Sequence, residues 1–319
     1  MGTYIIKRCL SLIPLLFFVS IAVFALLRTG KNDPAMSYLR LSNIPPTEAA
    51  LQNAREKLGL NKPVLAQYIT WLWKALRLDF GESYVTKTSV TKQLLYYAPN
   101  TLFLASVSLL FTIALSLPLG ILAAKYNGKW PDQAVRVFAY AGVSVPSFWL
   151  AFLMIMVFAI RLKWLPPLGA GSFRHVLMPA ISVMLMSTCI NTRLIRSNML
   201  EQAHSRAVVY ARFRGVREGY ITSHHILKNA CIPIITALGM HVGEILGGSV
   251  VAEVIFAWPG VGRYAVSAIY NRDFPVMQCF LLFMTVIFVG CNLITDIAYA
   301  ALDPRIRFQE KSEGGPGHG

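Results

Sequence analysis

TLFLASVSLLFTIALSLPLGILAA, residues Thr101 to Ala124, runs for 24 positions without a charged side chain. Crossing ~30 Å of hydrocarbon as an α-helix takes about 20 mostly apolar residues, so this stretch reads as a transmembrane span. Five further runs qualify: Cys9 to Leu27, Val137 to Ile160, Val176 to Ile195, Ile232 to Phe256 and Val276 to Ala301. Composition agrees, because 55% of the 319 residues are hydrophobic and 14% charged, against roughly 25% charged in soluble domains. One soluble core cannot hide that much apolar surface. Disordered, collagenous and disulfide-scaffold classes are excluded by the same balance. The five cysteines, Cys9, Cys189, Cys231, Cys279 and Cys291, sit inside apolar stretches without CxxC or zinc spacing and read as small hydrophobes. The first run follows Lys7 and Arg8 as a secretory signal would, but it is too long for an ordinary signal core and reads as an uncleaved span.

Basic residues near span ends set orientation. The stretch from Arg193 to Lys228 carries Arg193, Arg196, Arg206, Arg212, Arg214, Arg217 and Lys228 against Glu201 and Glu218, so it belongs in the cytoplasm. Lys7 and Arg8, and Lys125, Lys129 and Arg136 after the second span, fall on the same side, which places both termini inside. Arg161, Lys163 and Arg174 dissent and would lie outside. The net charge of +15 then reads as positive-inside bias, and nucleic acid is not an expected partner.

The expected organisation is a first span at residues 1–27, an external segment at 28–100, a five-helix core at 101–303 with an inner loop at 193–229, and a polar cytoplasmic tail at 304–319. Within the external segment, Pro45-Pro46 before Thr47-Glu48 opens a helix through Lys57, and Gly59 and Pro63 close it. Val64 to Leu78 forms a second amphipathic run with Trp71, Trp73, Lys74 and Arg77. It suits either a helix lying at the membrane interface or a small packed cap.

No HExxH, Walker A lysine loop, GxSxG elbow or complete GxGxxG is present, so an enzyme is not favoured. In the basic loop, Ser197 to Phe213 suits a short amphipathic helix stopped by Gly215, and Tyr220 to Asn229 a second. Such a pair fits either a partner's groove or an anionic lipid surface.

Ionisable residues inside spans are His241, Glu244, Glu253 and Asp296. Each costs roughly 2.5 to 3.5 kcal/mol or more at mid-bilayer and so meets a partner or a polar path. Gly239, Gly243 and Gly247 form a small-residue ridge on the fifth span for close helix approach. His241 and Glu244 lie on the other side, with Asn191, Asn198 and Asn292 available as neighbours. An i, i+3 imidazole and carboxylate suit one transition-metal ion in passing, or equally a structural hydrogen bond. At the outer end, Glu253 with Phe256, Trp258, Pro259, Gly260, Gly262 and Arg263 cannot stay helical, and reads as a re-entrant gate or an external turn.

The ordered set Leu58-Gly-Leu-Asn-Lys-Pro63, Asp79-Phe-Gly81 with Ser83, Gly142-Val-Ser-Val-Pro146, Tyr210-Ala-Arg212 with Gly215, His225 to Ala230, Glu253 with Pro259-Gly-Val-Gly262, Asp273-Phe-Pro275 and Asp303 to Arg307 resembles the inner-membrane permease subunits of bacterial ABC importers for peptides and nickel. The likeness spans nearly the whole chain. It implies an all-α, six-span subunit that binds no cofactor, sits in lipid, and pairs with a homologous permease, two cytoplasmic ATPases and an extracytoplasmic binding protein. The basic loop resembles the family's coupling loop, with Ala211, Arg212 and Gly215 as coupling residues. Gly239-Met-His-Val-Gly-Glu244 and Tyr38 to Asn43 with Pro45-Pro46 are most similar to the nickel branch. That branch implies nickel(II) or a nickel chelate as cargo, with His241 and Glu244 as transient metal ligands and Glu253, Pro259, Gly260 and Gly262 at the gate or outer turn. Import of di- or oligopeptides or of another metallophore remains the alternative. A secondary transporter is the competing class, but no convincing repeat supports it.

Overall fold

Backbone amides in hydrocarbon have no water to bond, so apolar runs must close their hydrogen bonds internally. The computed structural model meets that demand with helices alone and has no β-strand among the described residues. It describes residues 2–29 and 33–302. The side chains of 2–9, 26, 27, 29, 231–236, 238, 240, 296 and 298–302 lie outside that description, as do the tail at 304–319 and the side chain of Asp296.

The helices are α1 (Gly2–Thr29), α2 (Pro34–Leu41), α3 (Glu48–Lys57), α4 (Val64–Leu76), α5 (Val90–Lys125), α6 (Trp130–Ser144), α7 (Ser147–Met154), α8 (Phe173–Ala203), α9 (Arg206–Phe213), α10 (Glu218–Tyr220), α11 (Lys228–Ile255), α12 (Val261–Asn271) and α13 (Phe274–Leu302). Among the described residues α5, α8 and the Phe274–Thr295 part of α13 are long and apolar enough to cross a membrane. Helices α1 and α11 have 28 residues each, about 42 Å at 1.5 Å per residue.

The third expected span, Val137 to Ile160, is not a straight rod. Helices α6 and α7 meet at 100° because Pro146 removes an amide and forces Val145 to an extended ψ of 119°. A π-helical stretch, Ile155–Arg161, then extends α7. Helix α5 starts at Val90, ten residues before the hydropathy boundary at Asn100, and runs unbroken for 36 residues.

In the external segment the expected pair of helices is present, joined by one that the sequence reading missed. Asp33 caps α2 by accepting from the Ala35 N–H at 2.9 Å, with Pro34 at the first helical position. Partial burial works against it, yet Arg55 and that amide hold the Asp33 carboxyl below its usual range. Thr47 caps α3, and Gly59 leaves it at φ +66°. Helix α4 packs on α1 by one face. Trp71 and Tyr68 pack on Phe24 of α1, while Leu65, Ile69, Trp73 and Leu76 face outward with the Arg77 guanidinium 4.8 Å above the Trp73 ring. An apolar outer face edged by cations suits the membrane boundary.

Two clusters mark the ends of the bundle. Val90, Leu94 and Ala98 of α5 pack with Val261, Ala268, Val276 and Cys279 at one end. At the other, Leu117, Ile121 and Ala124 of α5 meet Ile195, Met199, Val208, Ala211 and Ile221. The basic loop and the external segment therefore sit at opposite ends. The Arg161 to Arg174 loop lies with the external segment, as the Gly169 N–H donates to the Phe256 carbonyl at 2.8 Å. Arg193 and Arg196 belong to α8 rather than to the loop. Arg196 grips Asp132 of α6 at 2.6 and 2.8 Å, and the carboxylate takes a third bond from the Gly128 N–H.

Asp273, 1% exposed, fastens the external segment to the α12–α13 corner. It accepts from the Ser83 hydroxyl at 2.5 Å, the Tyr84 N–H at 3.1 Å and the Val85 N–H at 3.3 Å. Burial, and then this carboxylate, push the neighbouring Tyr84 phenol above its usual pKa, so it stays neutral. Asp273→Ala strands these donors at a cost of about 1–3 kcal/mol, and residues 77–90 should then be cleaved faster by protease added to the detergent-solubilised protein. Wild-type cleavage rates would show that the carboxylate is not the fastening.

Candidate functional site

The glycine ridge of α11 meets α13, as its spacing predicts, at two of its three positions. A methyl on Gly239 would overlap Thr295 and one on Gly243 would overlap Phe288, whereas Gly247 faces open space. His241 and Glu244 lie away from that seam, toward α8. His241 Nδ1 and Glu244 Oε2 are 2.7 Å apart, and the Ser187 hydroxyl of α8 donates to the same oxygen at 3.3 Å. With the carboxylate ionised, Nδ1 carries the proton and the lone pair of a neutral ring sits on Nε2.

The two side chains differ in exposure. His241 is 4% exposed, and its Nε2 has no partner among the described residues. The Glu244 side chain is 49% exposed, on an outward stripe that continues through Gly247, Val251 and Val254. Asn191, one turn beyond Ser187 on α8, is fully buried with both amide atoms unpartnered among the described residues. Among those residues no three His, Cys, Asp or Glu side chains converge as a metal site.

Nine residues further along α11, Glu253 is in a different situation. It is fully buried and accepts from the Thr101 hydroxyl at 2.6 Å and from the Arg263 N–H at 3.0 Å. Thr101 in turn accepts from the Val261 N–H at 2.8 Å. The carboxylate thus sits at the N-terminus of α12, where the free amides and the helix dipole favour an anion. The two glycines make room for it. A methyl on Gly260 would strike the Glu253 carboxyl, and one on Gly262 would lie 2.8 Å from Val250 Cα. Trp258 Nε1 donates to the Asn100 carbonyl at 3.0 Å, and Asn100 Nδ2 to the Pro259 carbonyl at 2.8 Å. Glu253, Pro259, Gly260 and Gly262 therefore come together in one turn tied to α5.

At the opposite end, Ala211, Arg212 and Gly215 share α9 and its exit. Ala211 is buried with Val208 against α8. The outward residues are Tyr210, 66% exposed, and Phe213, 85% exposed, and the alternation of inward and outward positions on a short amphipathic helix was the signal for them. Arg212 pairs with Glu218 at 2.8 Å in the open. Gly215 has free space around it but a φ of +71°, so what requires glycine there is backbone conformation rather than room.

Residues 116–308 match the family model described as a binding-protein-dependent transport system inner membrane component, and residues 1–105 match the N-terminal region of the same kind of membrane component. The chain belongs to this family. It is a membrane-embedded permease subunit of an ABC import system. It is 36% identical over 310 residues to the glutathione transport system permease protein GsiC of Escherichia coli (strain K12), covering 97% of this chain and 100% of that protein. The same figures hold for GsiC of Shigella dysenteriae serotype 1, and the Shigella flexneri serotype 5b protein is 35% identical with the same coverage. The fold is similar to a chain of the MetNI methionine ABC transporter in an inward-facing conformation. The TM-score is 0.57 at 17% identity, over 66% of this chain and 96% of that one.

For the permease, the turn around Glu253 is structural before it is anything else. Gly260→Ala should lower the stability of the purified protein by about 1–3 kcal/mol through overpacking. Shortening the acid with Glu253→Asp should harm the Gly260→Ala background less than the wild type. Additive losses in thermal melting would mean that the two residues do not compete for the same space.

Proposed function

We propose that the permease forms one wall of a solute pathway shared with a homologous second permease, and that its cargo is a short peptide-like solute of the glutathione class. The observation that carries this is the half-exposed Glu244 carboxylate on a membrane-spanning helix. Facing lipid there would cost roughly 2.5–3.5 kcal/mol, so the stripe from Glu244 to Val254 faces the partner and the pathway. The GsiC relatives support the solute class. Nickel(II) or its chelate is the second cargo, favoured by the buried, unpartnered His241 Nε2 beside a carboxylate, a mixed pair suited to weak passage of a borderline divalent ion.

Uptake of labelled glutathione and of labelled nickel(II) in cells carrying the full transporter separates the two cargoes. Glu244→Gln and His241→Ala should lower uptake of the true cargo roughly tenfold or more per purified complex, the scale of losing a hydrogen bond to a charge, while assembly and ATP hydrolysis persist. Unchanged normalised uptake in both variants would sink the pathway role.

Both termini and α9 lie in the cytoplasm, where two ATPase subunits supply the energy, and the segment before α5 faces an extracytoplasmic binding protein. The positive-inside count supports that side for α9, and Tyr210 and Phe213 offer an aromatic knob to the ATPase. Phe213→Ala should leave the protein folded yet lower uptake and binding-protein-stimulated ATP hydrolysis together, whereas Ala211→Asp should reduce the amount of folded complex. A reporter fused after Gly219 should be silent outside the cell and one after Pro63 active. Normal uptake in Phe213→Ala, or an externally active fusion after Gly219, would overturn this arrangement.

A further inference from the structure

Between α6 and α8, toward the end of the bundle that carries the basic loop, lies a cavity of about 440 Å³ whose lining includes Arg136, Tyr140, Ile190, Arg193, Arg196 and Ser197. Its charges do not cancel. Three guanidinium groups meet one nearby carboxylate, Asp132, and Arg196 already holds both of its oxygens. Two positive charges are left over, those of Arg136 and Arg193, and neither has an ion-pair partner among the described residues. Arg193 is nonetheless held in place, because its guanidinium stacks 4.6 Å above the Tyr140 ring.

The surroundings indicate what would neutralise that charge. Along α6, beside the cavity, Trp130 and Val137 are exposed at 78% and 68%, an apolar outer face with a tryptophan at its membrane-boundary end. An occupant must therefore carry an anion into the arginines while its remainder stays in hydrocarbon. We propose that this cavity binds the phosphate of an anionic phospholipid, with Arg136 and Arg193 as its ligands and Ile190 and Leu194 against its apolar part. Guanidinium groups match phosphate oxygens in a bidentate geometry, and basic pockets between membrane helices are suited to acidic headgroups.

The double substitution Arg136→Gln with Arg193→Gln tests this while sparing Arg196, which Asp132 needs. Purified complex would be exchanged into vesicles of phosphatidylglycerol or of phosphatidylcholine, and retained lipid measured by native mass spectrometry. Wild type should retain phosphatidylglycerol selectively, and the double variant should bind it roughly thirtyfold more weakly, the scale of losing two basic contacts. Arg55→Gln, in the external segment, should behave as wild type. Equal retention by wild type and the double variant would overturn the proposal. So would displacement of the lipid by millimolar inorganic phosphate, which would make this a site for free anions. So would cross-linking from Arg193→Cys to a partner subunit with no lipid retained.

Discussion

The Glu253 carboxylate is the tie on which the outer half of the bundle depends. It sits in the last turn of α11, accepts from an amide of α12 and is bonded to Thr101 of α5, so a single side chain fixes three helices. Within a membrane an uncompensated carboxylate is intolerable, and the same cost, once met by donors, becomes a strong preference for one geometry. Gly260 and Gly262 follow from this placement, because only a residue without Cβ lets the turn close over the acid. Asp273 repeats the device at the α12–α13 corner, and Asp132 does so at the other end with Arg196 beside a backbone amide. Each brings together parts of the chain that hydrophobic packing alone would leave free to slide.

That pattern explains which features were legible in the sequence. Hydropathy marked the runs that become α5, α8 and the Phe274–Thr295 part of α13, because the length of hydrocarbon to be crossed is a local, additive property of a run of residues. Caps and breakers located α3 and α4 for the same reason. What local patterns do not contain is the partner of a buried polar group. Thr101 is 152 positions from Glu253 and Ser83 is 190 from Asp273, and no spacing rule connects them. Arg196, counted as one more loop charge, proved to be the half-buried partner of the buried Asp132. The bend at Pro146 was visible as a proline, but a proline inside an apolar run is compatible with both a kink and a full 100° turn, and only packing decides.

The fragments that carried the family resemblance are largely these anchors. Ser83, next to Asp79-Phe-Gly81, bonds to the aspartate of Asp273-Phe-Pro275, and Glu253 bonds beside Gly260-Val-Gly262. Such motifs announce a way of fastening helices and loops together, and a fastening is indifferent to cargo. This is why the motifs were sufficient to recognise a permease yet carried no information about whether glutathione-like peptides or nickel pass through it.

Cargo must instead be sought among groups that the fold does not consume. Helix α11 offers the comparison within one element. Glu253 and Glu244 are the same side chain nine residues apart, but the first is buried with its oxygens taken by Thr101 and the α12 amides, while the second is half open and shares one oxygen with His241 and Ser187. The fold uses Glu253, whose oxygens accept from Thr101 and the Arg263 amide. Stability does not account for Glu244, because an exposed carboxylate in this position destabilises an isolated chain in lipid and is tolerable only where a polar path or a partner covers it. The buried Nε2 of His241 beside it is likewise not consumed by the fold, for it has no partner among the described residues, and a polar atom left unsatisfied costs free energy.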